Sequence, residues 1–171
     1  KLMASDGTYD HRFGWSVAID GDTVVVGAPG TVSQTTTEDI PGAAYVYRTT
    51  DGWASHTEIK LAADDADERD GVGGAVAIAG GTIVVGAWNG NGGAAYVYRT
   101  TDGGATYGPL LYIGGATYVE LAKLTASDAA ADDSFGISVA IDGDTIVIGA
   151  PWDDDGGSRS GSAYVFCTSD G

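Results

Sequence analysis

The chain alternates small or polar residues with apolar ones in short runs separated by turn residues. Ser16-Val17-Ala18-Ile19 alternates in this way, Asp20-Gly21-Asp22 interrupts it, and Thr23-Val24-Val25-Val26 resumes with β-branched side chains. An Asp-Gly pair between two such runs predicts a hairpin, because a primed turn needs positive φ at its centre. The continuous apolar run from Val24 to Val26 suits a strand covered on both faces. Gly27-Ala28-Pro29 ends that strand: proline has no ladder donor, and the small pair before it lets neighbouring backbone come close. Beyond a loop, Ala44-Tyr45-Val46-Tyr47 predicts a third, aromatic strand. Asp51-Gly52 turns the chain, and Trp53 to Leu61 is the expected fourth strand.

This pattern occurs three times. FGWSVAIDGDTVVVGAP at 13–29 returns as FGISVAIDGDTIVIGAP at 135–151, with the weaker copy VGGAVAIAGGTIVVGAW at 72–88. Lys1, Lys60 and Lys123 each open a Lys-Leu pair, and GAAYVYRTTDG at 42–52 and 93–103 is matched by GSAYVFCTSDG at 161–171. The repeats therefore run 1–59, 60–122 and 123–171, and a period of several tens of residues makes each repeat one structural unit. The loop after each GAP position varies: Thr-rich in the first unit, short in the second (Asn89 to Gly92), acidic in the third (Trp152 to Ser160), which places it at a rim. The link after the second unit is longer, with GGATY doubled, and has room for an extra hairpin. The chain begins and ends at one phase of the repeat, as expected of a piece of something longer.

Four short antiparallel strands per unit, turns at close intervals and little helix signal define an all-β protein of β-propeller blades, one repeat region over 1–171. The third unit lacks its own fourth strand. Lys1-Leu2-Met3 is the remnant of a preceding unit's fourth strand, or it completes the last blade, or a partner does so. A blade cannot bury both faces alone, and three blades are fewer than the usual four to eight. Further repeats, two associating copies or an open array are the expected solutions, since bare faces and edges promote self-association.

The residues FG…SVA…GAP…GSAYVF, repeated in register, resemble the FG-GAP repeat, the blade of the integrin α-subunit propeller and of many secreted proteins. The resemblance implies a β-propeller, an extracellular or cell-surface location, and a role in binding or adhesion. Integrin-type repeats carry a DxDxDG calcium loop between FG and GAP. Here that place holds Asp20-Gly21-Asp22, Ala79-Gly80-Gly81 and Asp142-Gly143-Asp144, too short or too poor in carboxylates to wrap an ion. The chain resembles the shorter form of the repeat, and the integrin metal sites do not carry over.

Charge then narrows the partners. With 24 acidic and 8 basic residues and a formal charge of −16, the chain is unsuited to nucleic acid or to an anionic membrane surface. No apolar run is long enough to cross a bilayer. The lone Cys167 cannot form an internal disulfide, and its repeat counterparts are Arg48 and Arg99.

Asp153-Asp154-Asp155 is the densest acidic group, and Asp153 with Asp155 is the candidate Ca²⁺ site, against the plainer reading of a solvated rim loop. A second acidic set precedes each FG position: Asp6 and Asp10; Asp64, Asp65, Asp67 and Asp70; Asp128, Asp132 and Asp133. A structural role shared by the three units and side-chain capping of turns explain that set equally well. Trp88 and Trp152, where the core gives way to the variable loop, are the candidate ligand-binding residues, with packing between blades as the alternative.

His11 falls in a slot held by Asp70 and Asp133 elsewhere, and no nucleophile elbow, HExxH, CxxC or phosphate loop is present. The expectation is a non-enzymatic extracellular module binding protein or glycan through its rim loops. The alternatives are a structural unit self-assembling into a ring, filament or surface appendage, and the accessory repeats of a secreted hydrolase.

Overall fold

The computed structural model describes residues 1–30, 42–63, 65–67, 69–89, 92–100 and 118–168. The Thr-rich loop of the first unit and the doubled GGATY link up to residue 117 lie outside these residues. Eleven strands form three antiparallel sheets, and there is no helix among the described residues. Blade 1 contains β1 (Ser16–Asp20), β2 (Thr23–Ala28), β3 (Ala43–Arg48) and β4 (Thr57–Leu61) in sequential order. Blade 2 repeats the meander with β5 (Val72–Ala79), β6 (Thr82–Ala87), β7 (Ala94–Thr100) and β8 (Tyr118–Leu124). Blade 3 has three strands, β9 (Ser138–Asp142), β10 (Thr145–Ala150) and β11 (Ser162–Cys167), in the order β11-β10-β9.

The expected hairpin is present: Asp20 pairs with Thr23 and Asp142 with Thr145, and Gly21 and Gly143 take φ of 54° and 53° at the turn. In blade 2 the turn is Gly80-Gly81, both with positive φ. The turn is also tied to the end of the third strand, with Thr49, Thr100 and Thr168 N–H groups donating to the carbonyls of Asp22, Gly81 and Asp144.

Blade 1's fourth strand is shorter than Trp53 to Leu61. The Asp51 carboxylate accepts hydrogen bonds from the backbone N–H and hydroxyl of Ser55, and the Thr49 hydroxyl accepts from the Trp53 N–H. This knot holds 51–55 as a turn with Trp53 at φ 71°, so pairing begins only at Thr57.

The blades stack face to face. Side chains alternate along β2 and its equivalents, so one face of blade 1 (Val25, Ala44, Val46, Leu61) meets the opposite face of blade 2 (Ile83, Val85, Tyr96, Tyr98) in one apolar cluster. The remaining face of blade 2 (Val84, Ala95, Val97) meets blade 3 (Phe135, Ile146, Ile148) in a second. Glycine is required where the sheets touch: a Cβ at Gly27 would overlap the Gly73 carbonyl oxygen, and one at Gly86 the Gly136 carbonyl oxygen. The glycine of each GAP position is thus the seat for the glycine after Val72 or Phe135 in the next blade.

Residues 1–4 belong to no strand and do not pair with β11. Leu2 and Ala4 instead pack with Phe13 against Val26, Tyr45 and Tyr47 on the outer face of blade 1. In this chain Lys1-Leu2-Met3 forms no strand. Its hydrogen bonding goes elsewhere: the Met3 carbonyl accepts from the Tyr47 hydroxyl at 3.1 Å.

Candidate functional site

A tyrosine, an aspartate and a lysine meet at one corner of each complete blade. In blade 1 the Tyr45 hydroxyl donates to Asp6 Oδ1 at 2.7 Å, and Lys60 Nζ donates to Asp6 Oδ2 at 2.6 Å. In blade 2 Tyr96 donates to Asp65 Oδ1 at 2.9 Å and Lys123 to Asp65 Oδ2 at 2.8 Å. Both lysines also lie over the tyrosine ring, 5.6 and 5.3 Å from its centroid. Strand pairing sets this up, since Tyr45 lies opposite Lys60 and Tyr96 opposite Lys123 in the last two strands of each sheet.

The electrostatics follow from these contacts. Burial alone would raise the Asp6 carboxyl, but the hydrogen bonds from Lys60 and Tyr45 hold it below its ordinary value. Lys123 and then Tyr96 hold Asp65 low in the same way, while Asp65 holds Lys123 up. Burial, with the neighbouring Asp65, pushes Tyr96 up to about 12.

Blade 3 has the tyrosine and the aspartate of this set. Tyr164 donates toward Asp128 Oδ1 at 2.7 Å and toward Asp153 Oδ2 at 2.6 Å. One hydroxyl proton cannot serve both acceptors. Asp155 joins them: its N–H donates to Asp153 Oδ1 at 3.1 Å, and ligand oxygens of Asp128, Asp153 and Asp155 all lie within 4.8 Å of one another. The hydrogen bond from Tyr164 keeps the Asp153 carboxyl low, whereas the charges of Asp153 and Asp128 push Asp155 up.

The structure thus brings the two residues of the candidate Ca²⁺ site together and adds Asp128. The sequence carries a signal for that addition, because Asp6, Asp65 and Asp128 each stand five residues after a Lys of the repeat. Three carboxylates suit a hard cation, which takes six to eight oxygens, so backbone carbonyls or water would have to supply the rest.

The two candidate tryptophans are not brought together. Trp88 is half-buried, its ring packed on the backbone of Gly74 and close to Gly71 in the turn before β5. Trp152 is 47% exposed and lines an open cleft of about 510 Å³ at the rim of blade 3 with Arg159, Asp132, Asp133, Asp154 and Ser158. Sequence reasoning missed Arg159 and Ser158 as neighbours of Trp152, since nothing in the loop's composition fixes how it folds back.

Sheets of this kind, packed face to face through glycine seats and pinned at one corner by repeated polar contacts, define a propeller-type β repeat protein. The sequence model of the FG-GAP repeat matches residues 1–47, 56–98 and 118–166. The chain belongs to the FG-GAP repeat family. A search of curated proteins returned no match.

Proposed function

We propose that the chain is a non-enzymatic extracellular binding module whose rim loops hold a glycan or protein ligand. The observation that carries this reading is the cleft at the rim of blade 3, where the half-exposed face of Trp152 stands beside Arg159 and the carboxylates of Asp132 and Asp154. A flat aromatic face flanked by charged hydrogen-bonding groups is the chemistry that receives a sugar ring or a polar peptide. Location outside the cell is part of the proposal and rests on the family resemblance.

The test is titration of soluble oligosaccharides against the chain, followed by tryptophan fluorescence and calorimetry. Trp152→Ala is expected to abolish a saturable signal that Trp88→Ala, on the neighbouring blade, leaves in place. Binding that survives Trp152→Ala would remove this cleft from consideration.

A second reading, a structural unit that assembles through its blade faces, is favoured by a separate observation. Val17 and Ile19 on the outer face of blade 1 are 69% and 67% exposed, and Val165 on the outer face of blade 3 is 65% exposed. Apolar strand faces left bare in this way mark interaction surfaces.

A further inference from the structure

The binding reading rests on Trp152, and the rest of the cleft narrows what that face receives. Every residue lining the cleft lies in one of two loops of the third unit, 130–133 and 152–159, so a single unit builds both walls. The run Trp152-Asp153-Asp154-Asp155 divides by alternation. Asp153 and Asp155 turn to the corner with Asp128 and Tyr164, whereas Trp152 and Asp154 line the cleft.

Both walls are set by the protein's own hydrogen bonds. In the longer loop the carbonyls of Asp153, Asp154 and Gly157 accept from the N–H groups of Gly161, Gly157 and Ser160 at 2.9, 2.9 and 3.0 Å. In the shorter one Asp133 is buried and its Oδ2 accepts the Ala130 N–H at 2.8 Å. The Asp133 carbonyl accepts the Trp152 N–H at 3.4 Å, which joins the two walls. A ligand therefore meets groups already in place, and little loop ordering opposes its binding.

The charges then say which ligand. Asp133 is engaged as a cap, which leaves Asp132, Asp154 and Arg159, all exposed, and Arg159 forms no ion pair with either carboxylate. A carboxylate only accepts hydrogen bonds and a guanidinium only donates them. A cationic ligand would answer the aspartates and face the arginine, and an anionic one would face two carboxylates. Hydroxyl groups, which both donate and accept, answer the two kinds of partner at once. No lining residue lies in a strand, so the cleft has no open ladder edge on which a peptide could pair as an added strand. The exposed part of the Trp152 indole supplies an apolar face for the C–H side of a sugar ring.

Blade 2 shows that this arrangement is not a general property of the repeat. Asn89 stands there in the place of Trp152, its N–H donating to the Asp70 carbonyl at 3.0 Å. The cleft beside it is smaller, about 270 Å³, has no aromatic side chain, and its one cation, Lys123, already lies on Asp65.

We propose that the blade 3 cleft is a glycan site for an uncharged pyranose with neighbouring hydroxyls. Trp152 stacks on the ring, Asp132 and Asp154 accept from its hydroxyls, and Arg159 and Ser158 donate to them. The inference rests on the binding reading of this cleft and narrows its ligand from glycan or protein to a neutral sugar.

The experiment is calorimetric titration of the chain with three sets of oligosaccharides and with basic and acidic peptides. The sets are neutral oligomers of glucose, galactose, mannose or xylose, chitosan oligomers that carry ammonium groups, and oligogalacturonates that carry carboxylates. The expected result is saturable binding of at least one neutral oligomer, with an affinity that low and high salt leave alike. Trp152→Asn, which gives blade 3 the residue that blade 2 carries there, should weaken it about tenfold or more, and Arg159→Gln and Asp154→Asn about fivefold or more each. All three positions are exposed, and circular dichroism checks that the variants stay folded.

Saturable binding of a peptide alone, lost in Trp152→Asn, overturns the sugar assignment while the binding reading of the cleft stands. Binding confined to the chitosan or galacturonate oligomers, and falling steeply with salt, overturns the neutral ligand and likewise leaves that reading in place. Neutral oligomers that bind all three variants as they bind the parent, or an absence of binding by every probe, overturn this inference and the binding reading of the cleft together.

Discussion

Val97 of blade 2 and Val165 of blade 3 stand at the same place in the same strand of consecutive repeats, yet the first is 3% exposed and the second 65%. Both pair with a valine of the preceding strand, Val84 or Val147, but Val97 also has Ala122 of a fourth strand beside it and blade 3 across its face, whereas among the described residues Val165 has neither. The same holds at the polar corner, where Asp65 has a lysine and Asp128 has two further aspartates. Blade 2 therefore reports what the repeat does when complete, and blade 3 what it does when one neighbour is absent.

The sharpest way to break the comparison is at the glycine seats. Gly86→Ala drives a methyl group into the Gly136 carbonyl oxygen, and two packed backbones cannot both yield. A loss of about 3 kcal/mol or more is expected by denaturant unfolding, at the upper end of overpacking effects. Gly149→Ala meets only the Ser138 hydroxyl, a group that can rotate away, so about 1 kcal/mol or less is expected. Equal losses at the two sites would mean that the blade contact does not set the requirement for glycine.

Next come the valines themselves. Val97→Ala opens a cavity between two sheets and should lower stability by about 2 kcal/mol. Val165→Ala should change the stability of the monomer by within about 0.5 kcal/mol, as surface substitutions do. A third contrast is smaller. Lys123→Gln removes an ion pair whose side chains are 36% and 57% exposed, and solvent screening limits the loss to about 0.5 kcal/mol.

Much of this was legible in the amino-acid order, and what was not has physical reasons. The tight glycine hairpins, Asp-Gly in two units and Gly-Gly in the other, and the aromatic third strand follow from local chemistry that recurs in all three units, and the stacking of blades follows from that recurrence. Trp53 was expected in a strand because it follows a turn signal. The carboxylate of Asp51 instead reaches Ser55 and extends the turn, a contact between side chains that periodicity does not encode. The pairing of Asp153 with Asp155 was visible as neighbours in sequence. The arrival of Asp128 depended on the fold, which carries Tyr164 over from β11 to hold it. Trp88 and Trp152 share a repeat neighbourhood but not an environment, because only the turn before blade 2 offers two glycines for an indole to lie on.

The smallest effect tests the electrostatics of the incomplete corner. Asp155 titrates above an ordinary aspartate in the folded chain because Asp153 and Asp128 stand beside it. A carboxyl raised in this way favours the folded state below its unfolded value, and that contribution is lost as pH rises through the folded value. At neutral pH the chain therefore carries a repulsion that mild acid relieves. Asp155→Asn removes the charge outright, so its melting temperature should exceed that of the parent at neutral pH. The gap should shrink as pH falls toward the ordinary aspartate range and vanish below it. The equivalent comparison at blade 2 runs the other way: Asp65 is held low by Lys123 and Tyr96, so Asp65→Asn should lower the melting temperature at neutral pH. That loss should fade only once the pH falls through the depressed folded value of Asp65. Melting curves of the two variants between neutral pH and mild acid, diverging from the parent in opposite directions, are the expected outcome. Shifts of the same sign would show that the two corners do not differ in the balance of charge argued for them.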